Sequence, residues 1–312
     1  MMIDAVYRHY LEPLTKYFQK DIKEFVMNAP SDILLENAKG EWTKKTDKEL
    51  NKKWAKEFAN AMAAWTGQKV GDTNPTISFK IPQTGNKYHE RGGHRVQIFY
   101  GDTCKSGFAM IIRLNMGLSF KFDDFGLSKQ EGAEIDKLVK SKRTLLISGG
   151  TGTGKTSFLN SLLNYIPLTE RIITIEGVSE LRVPHANCLN LFYSENGTLA
   201  GNRGVADLLN ETLRARPDRI ILGELRKENS FAFLRAINTG HGGSYATIHA
   251  NSPHEAITAL TDNMVMNGDI AEGAIATCRN RLLDNIDAIV QLERSLNGKM
   301  FARLEFTKKL FS

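Results

Sequence analysis

Apolar positions along this chain change their rhythm near residue 130. In the first part, short runs in or near alternation dominate, at residues 24–27, 33–36, 76–81, 95–100 and 109–114, and they predict strands of a half-buried sheet. Two stretches have helical spacing instead, residues 7–18 and 47–66, the second carrying Trp54, Phe58, Ala61 and Met62 as its buried stripe. Together they predict a small α+β domain over residues 1–117. Residues 117–127 hold Phe120, Asp123, Asp124 and Gly126 with no clean period, which reads as a linker, 118–130, entering a helix at 128–139.

Beyond it the apolar runs become continuous and β-branched, at residues 145–148, 171–175, 219–222 and 244–248, and helical stretches such as 205–215 and 228–238 lie between them. Strands with no polar face belong in a parallel sheet covered by helices on both sides. The second domain, 131–312, is therefore α/β, with its functional groups expected at the carboxyl ends of the strands.

The first of these runs ends in Gly149-Gly150-Thr151-Gly152-Thr153-Gly154-Lys155-Thr156, which satisfies Gly-x-x-x-x-Gly-Lys-Thr between a strand and a helix. Glycines let successive N–H groups turn inward around phosphates. Lys155 would reach the β/γ-phosphates and the Thr156 hydroxyl would face Mg²⁺, while Ser157 opens the helix whose N-terminal dipole favours the anion. A nucleoside triphosphate and Mg²⁺ are the ligands this loop implies.

Three further strands end in groups that a nucleotide hydrolase needs. Residues 171–175 deliver Glu176, with Glu180 four residues on; residues 219–222 run through Gly223 into Glu224, in the form of a Walker B segment. One glutamate can orient or deprotonate water and the other can hold Mg²⁺ through its hydration shell, and the sequence does not say which does which. His241 and His249 flank the last strand. Their spacing lacks a third zinc ligand, and the small residues around them favour phosphate contact. Arg95, Arg113, Arg214, Arg216 and Arg226 are candidates to complete the charge balance around the phosphates from a neighbouring subunit.

Composition narrows the setting. The 312 residues are 41% hydrophobic and 24% charged, which fits neither a disordered nor a fibrous chain. No apolar run approaches the roughly 20 residues of a bilayer span, and no signal-peptide core is present. Cys104, Cys188 and Cys278 are lone and odd in number, the pattern of a reducing cytoplasm. The net charge of +6 gathers among Lys39, Lys44, Lys45, Lys48, Lys52, Lys53 and Lys56. Interleaved Asp47, Glu49 and Glu57 make a solvated helix face the plainer reading, with attraction to an anionic membrane or nucleic acid as the other. The loops do not interleave Lys/Arg with aromatics, which argues against direct nucleic-acid binding.

Four motifs in order, Thr-Gly-Thr-Gly-Lys-Thr, Arg-Ile-Ile-Thr-Ile-Glu, Leu-Arg-Ala-Arg-Pro-Asp-Arg-Ile-Ile-Leu-Gly-Glu-Leu-Arg and Thr-Gly-His-Gly-Gly-Ser-Tyr-Ala-Thr-Ile-His-Ala-Asn-Ser-Pro, closely resemble the hexameric traffic ATPases of type IV secretion. Asn28-Ala29-Pro30, Asn74-Pro75 and His94-Arg95-Val96-Gln97 extend the likeness over most of the chain. The resemblance implies a RecA-like C-terminal domain, a smaller α+β N-terminal domain and a homohexameric ring with ATP clamped between the domains. It implies Walker A contacts at Lys155 and Thr156, an acidic "Asp box" at Glu176, the Walker B glutamate at Glu224, a "His box" at His241 and His249, and an N-terminal-domain arginine, Arg113, approaching the γ-phosphate. The ring is expected at the cytoplasmic face of the bacterial inner membrane, beside other secretion ATPases and channel components, where it would assemble a pilus or pass substrate. One departure stands out. The family usually places Asp after the Asp-box Glu, and this chain has Gly177, so a slowly hydrolysing, nucleotide-gated scaffold is the rival expectation, and a nucleic-acid motor the next.

Overall fold

Alternation in the first part of the chain becomes a single antiparallel sheet. The computed structural model describes residues 5–19, 21–81, 94–114, 120–177, 180–193, 204–295 and 297–311, and the chain divides into two compact units, Met1–Leu118 and Ser119–Ser312. In the first unit α1 (Ala5–Thr15) precedes β1 (Ile22–Ala29), β2 (Asp32–Asn37) and β3 (Trp42–Thr46); α2 (Lys52–Trp65) then leads to β4 (Thr76–Ile81), β5 (His94–Tyr100) and β6 (Phe108–Arg113). The six strands run in the order β3-β2-β1-β6-β5-β4, every neighbouring pair antiparallel. Leu11 and Leu14 of α1 and Phe58 and Met62 of α2 share one buried cluster with Phe25, Met27, Ile98 and Met110 of the strands.

Two local features differ from the sequence expectation. The helical stretch expected from residue 47 is split: Asp47 caps a short 3-10 turn, Lys48–Leu50, and Asn51 starts α2 afresh by accepting from the N–H groups of Lys53 and Trp54. Each cap satisfies N–H groups that the turn itself leaves unpaired. β3 is the second difference. All its residues are exposed, so it carries no alternation to read, and Lys44 and Lys45 sit on this sheet edge rather than on a helix face. Lysine on an edge strand opposes pairing with another chain.

The second unit places α3 (Lys129–Lys140), β7 (Leu145–Gly149), α4 (Lys155–Leu163), β8 (Ile172–Glu176), β9 (Cys188–Phe192), α5 (Val205–Thr212), β10 (Arg219–Leu222), α6 (Ser230–Asn238) and β11 (Tyr245–Ile248) in succession. It is completed by α7 (Pro253–Met266), α8 (Ile275–Asn285), β12 (Ala288–Arg294), β13 (Met300–Phe306) and the short α9 (Thr307–Leu310). The sheet order is β13-β12-β7-β11-β10-β8-β9, with parallel pairing throughout except the β12–β13 hairpin. The strand period of two splits each apolar run between two cores. Leu145, Ile147, Ile221 and Val290 meet α3 and α4 on one face, and Leu146, Ile220, Leu222 and Ile289 meet α5 to α8 on the other.

Residues 120–130, expected as a linker, contribute to the first of these cores. Phe122, Phe125 and Leu127 are buried there, and the Phe125 ring meets the Phe158 ring edge-on at 5.0 Å. Aperiodic aromatics in a 3-10 turn leave no helical or strand pattern, which hides them from a periodicity reading.

The edge where these strands begin is fastened by a buried ion pair. Arg219 is fully buried and its guanidinium donates to both Glu170 carboxylate oxygens, at 2.6 and 3.2 Å, to the Val139 carbonyl at 2.7 Å and to the Tyr245 hydroxyl at 2.6 Å. Gly243 approaches this guanidinium with φ +78°, and a Cβ there would stand 2.9 Å from Nη1. Part of the Thr-Gly-His-Gly-Gly-Ser motif is thus required for packing against Arg219.

Candidate nucleotide site

Strand carboxyl ends collect the opposite set of groups. Gly149 closes β7 so tightly against its neighbours that a Cβ would lie 2.6 Å from Thr153 Oγ1 and 2.7 Å from the Leu292 carbonyl. Gly152 and Gly154 take φ of +74° and +93°, a region that costs an L side chain roughly 1–2 kcal/mol, and a Cβ on Gly154 would strike Met300 Sδ at 2.5 Å. Gly150, Thr151 and Thr153 complete the turn, with Thr153 Oγ1 donating to the Gly150 carbonyl at 2.9 Å. Thr156 and Ser157 then lie in the first turn of α4, where unpaired N–H groups face anions.

Lys155 is 8% exposed. Its ammonium donates to the carbonyls of Gly149 and Gly150, at 2.8 and 2.7 Å, and meets Nδ1 of His249 at 3.3 Å. On its other side His249 Nε2 lies 2.9 Å from Glu224 Oε1. An ammonium can only donate, so Nδ1 accepts, and the imidazole is neutral with Nε2–H donating to the carboxylate. Its basicity agrees: burial and the Lys155 charge hold the His249 pKa below its ordinary value, against the opposing pull of Glu224.

Glu224 Oε2 in turn accepts from Arg226 Nε at 2.9 Å and Nη2 at 2.8 Å. Asn229 fixes this turn by donating to the Glu224 carbonyl and accepting from the Arg226 N–H, and Thr247 Oγ1 donates to the Gly223 carbonyl at 2.6 Å. A chain of polar contacts therefore runs Lys155–His249–Glu224–Arg226 across the ends of β7, β11 and β10. Arg226, a sequence candidate for a neighbour's site, here faces Glu224 of its own chain; Asn229, expected within the helical stretch 228–238, instead precedes α6 and holds the turn.

Glu176 ends β8 beside this chain, 2% exposed. Its Oε1 accepts from the N–H groups of Glu180 and Leu181 at 2.7 and 2.8 Å, which fastens the segment after the strand. Gly177 follows, and the place of its missing side chain is taken by Tyr193, whose Cζ, Cε2 and Oη lie 3.2 to 3.3 Å from a Cβ built there.

One expected site residue, His241, is not brought to this group. His241 precedes β11 and so lies at the opposite edge of the sheet from His249; its Nδ1 meets Thr239 Oγ1 at 3.4 Å. Among its small neighbours, Gly243 is the one that packs against Arg219. Arg113 ends β6 in the first unit, opposite Glu24 and Arg95 in register.

Among the described residues no three His, Cys, Asp or Glu side chains gather as a metal cluster. The oxygen groups of Thr156 and Glu224 nonetheless suit Mg²⁺, which takes one or two protein oxygens and completes its shell with water and phosphate.

A mainly parallel sheet with β11 set between the loop strand β7 and the glutamate strand β10, and a Gly-Lys-Thr loop entering α4, defines a RecA-like P-loop nucleoside triphosphatase. Comparison with known proteins carries this further. The profile of the family described as Type II/IV secretion system protein matches residues 8–304, and the chain belongs to that family, in its VirB11-type type IV secretion branch, as an ATP hydrolase. It is 30% identical to the type IV secretion system protein VirB11 of Bartonella quintana, over 93% of this chain and 89% of that one. Its fold is similar to the sulphate complex of the VirB11 ATPase of Brucella suis, with a TM-score of 0.51, 24% identity and coverage of 98% and 95%. It is also similar to the pilus retraction motor PilT with bound ADP, with a TM-score of 0.68, 21% identity and coverage of 95% and 81%. Among the described residues no helix is long and apolar enough to cross a membrane.

Proposed function

We propose that this chain is a Mg²⁺-dependent ATPase that works as a homohexameric ring in a type IV secretion or conjugation machine, turning ATP binding and hydrolysis into domain motion for pilus assembly or substrate transfer. It acts at the cytoplasmic face of the bacterial inner membrane beside channel components and other secretion ATPases, and residues 1–117 and 131–312 are its two working domains. The observation that carries this is the contact chain from Lys155 through His249 to Glu224, which couples the phosphate-gripping lysine to the carboxylate best placed to act on water.

Each group has a task in this reading. The glycine-lined loop and the α4 N-terminus bind the phosphates, with Lys155 exchanging its bonds to the Gly149 and Gly150 carbonyls for phosphate oxygens. Thr156 and Glu224 would hold Mg²⁺, which would supply positive charge against that developing on the phosphates. Glu224 orients the attacking water and takes its proton. His249 reports the state of the phosphate end through its bond to Lys155, and Glu176 holds the segment after β8 in place. Arg113 supplies the additional cation at the γ-phosphate. PilT was solved with ADP and the Brucella protein with sulphate, ligands of the kind this loop is built to hold.

Lys155→Ala should abolish ATP binding, and Glu224→Gln should retain ATP while turnover falls by about 10²–10⁴-fold. Parental hydrolysis by both variants would sink the assignment. A second reading, a nucleotide-gated scaffold with little turnover, is favoured by one observation: Glu176 is engaged by two backbone N–H groups and Gly177 adds no carboxylate beside it. Tight ATP binding with ring assembly and no measurable phosphate release would select it.

A further inference from the structure

The P-loop strand has a neighbour that the motifs do not mention. β12 pairs in parallel with β7, and Leu292 stands opposite Gly149. Two residues on, on the same side of the strand, Arg294 reaches past the sheet edge until its Nη1 lies 3.9 Å from a Cβ built on Gly152, at the tip of the phosphate loop. The arginine is exposed, yet it is held in place: its Nε donates to the Gly298 carbonyl at 3.2 Å, and the turn that presents Gly298 is closed by Ser295 N–H to Lys299 O and Gly298 N–H to Ser295 O, both 2.9 Å.

No carboxylate pairs with Arg294 among the described residues. The adjacent Glu293 faces away and is bridged to Arg303 across the hairpin. A guanidinium held at the rim of an anion-binding loop, with no acid paired to it among the described residues, is suited to phosphate oxygens, which it can grip with two parallel N–H bonds.

We propose that Arg294 is a second cation of the nucleotide site, a binding residue that grips the polyphosphate of ATP from the loop rim and couples the β12–β13 hairpin to the bound nucleotide. This rests on the reading of the loop as the ATP site. Lys155 approaches the phosphates from inside the loop and Arg294 from outside it, both from one chain. The alternative is that Arg294 merely fastens the hairpin through Gly298.

The two roles separate in Arg294→Gln, whose amide can still donate to the Gly298 carbonyl but carries no charge. ATP binding to the full-length protein would be measured by calorimetry for the parent, Arg294→Gln, Arg294→Lys and Lys155→Ala, with inorganic tripolyphosphate as a base-free competitor and thermal midpoints recorded alongside. The expected result is about a tenfold weaker ATP affinity in Arg294→Gln, equivalent to ~1.4 kcal/mol. Tripolyphosphate should weaken in parallel, Arg294→Lys should recover part of the loss, and the thermal midpoint should not change. Parental ATP affinity in Arg294→Gln, or a loss for ATP that tripolyphosphate does not share, overturns the proposal. If Lys155→Ala also binds ATP like the parent, it is the assignment of the loop that has failed; a loss confined to Lys155→Ala removes Arg294 alone.

Discussion

A histidine set between an ammonium and a carboxylate has one tautomer open to it, and that makes His249 sensitive to acid. Its pKa lies below 6.5 in the folded chain because burial and the Lys155 charge oppose a second cation. The unfolded chain therefore binds a proton first as the pH falls, so this residue's contribution is complete above pH 6.5 and declines as the pH drops through the depressed folded value. Protonation also turns Nδ1 into a donor aimed at Lys155. The ATPase profile should show an acid limb below pH 6.5 that is absent in His249→Gln; the same limb in both proteins would refute the role. Gly177 yields the second expectation at this scale. Restoring an acidic side chain there brings Cβ within 3.2 to 3.3 Å of the Tyr193 ring, so Gly177→Asp should destabilise by about 1–3 kcal/mol in chemical denaturation, and Gly177→Asp/Tyr193→Ala should recover part of it. Additive losses would mean the two positions are not coupled. Lys155 could be read from sequence by its glycine motif, and Glu224 and His249 because each stands at the end of an apolar strand. The pairing of Arg226 and the roles of Asn229 and Tyr193 could not: the first two lie in side-chain hydrogen bonds within the turn after β10, and Tyr193 acts by approaching Gly177 from the neighbouring strand's end.

Elements were legible where their burial is periodic or complete. The runs that became β7, β8, β10 and β11 announce themselves by having no polar face, and the first-unit strands by alternation. β3 has no buried residue to mark it, and β9 exposes Leu189 and Phe192 at a sheet edge. The run 288–292 of β12 is interrupted by Gln291 and followed by Glu293, and it carries no glycine motif to mark it as a neighbour of the loop strand. The buried pair of Arg219 and Glu170 illustrates the same limit: Arg219 opens an apolar strand and nothing local reveals its partner 49 residues away. Removing one member strands the other charge in the interior. Glu170→Ala should lower unfolding free energy by about 3–5 kcal/mol, with ATP affinity preserved in the folded fraction because the pair lies at the sheet edge opposite the loop. Parental stability in urea melts would show that the Val139 carbonyl and Tyr245 hydroxyl, which Arg219 already meets, suffice to hold its charge.

For the whole molecule, family membership and the P-loop fold leave assembly as the quantity to measure. A homohexamer predicts that light scattering with ATP and Mg²⁺ gives six times the chain mass, with smaller species favoured in Lys155→Ala. A monomer at every concentration and nucleotide state would remove the ring. The strand order carries a different consequence, concerning the order in which a ribosome delivers the parts. β7, which holds the phosphate loop, is flanked on one side by β11 and on the other by β12, so Leu145 must wait for Tyr245 and then for Ala288 before both its edges are paired. Until residue 288 has emerged, the fully buried strand that carries the loop presents an open edge, which is the condition under which nascent chains pair with the wrong partner. The nucleotide grip is therefore among the last features to mature during synthesis, although the residues that form it are made near the middle.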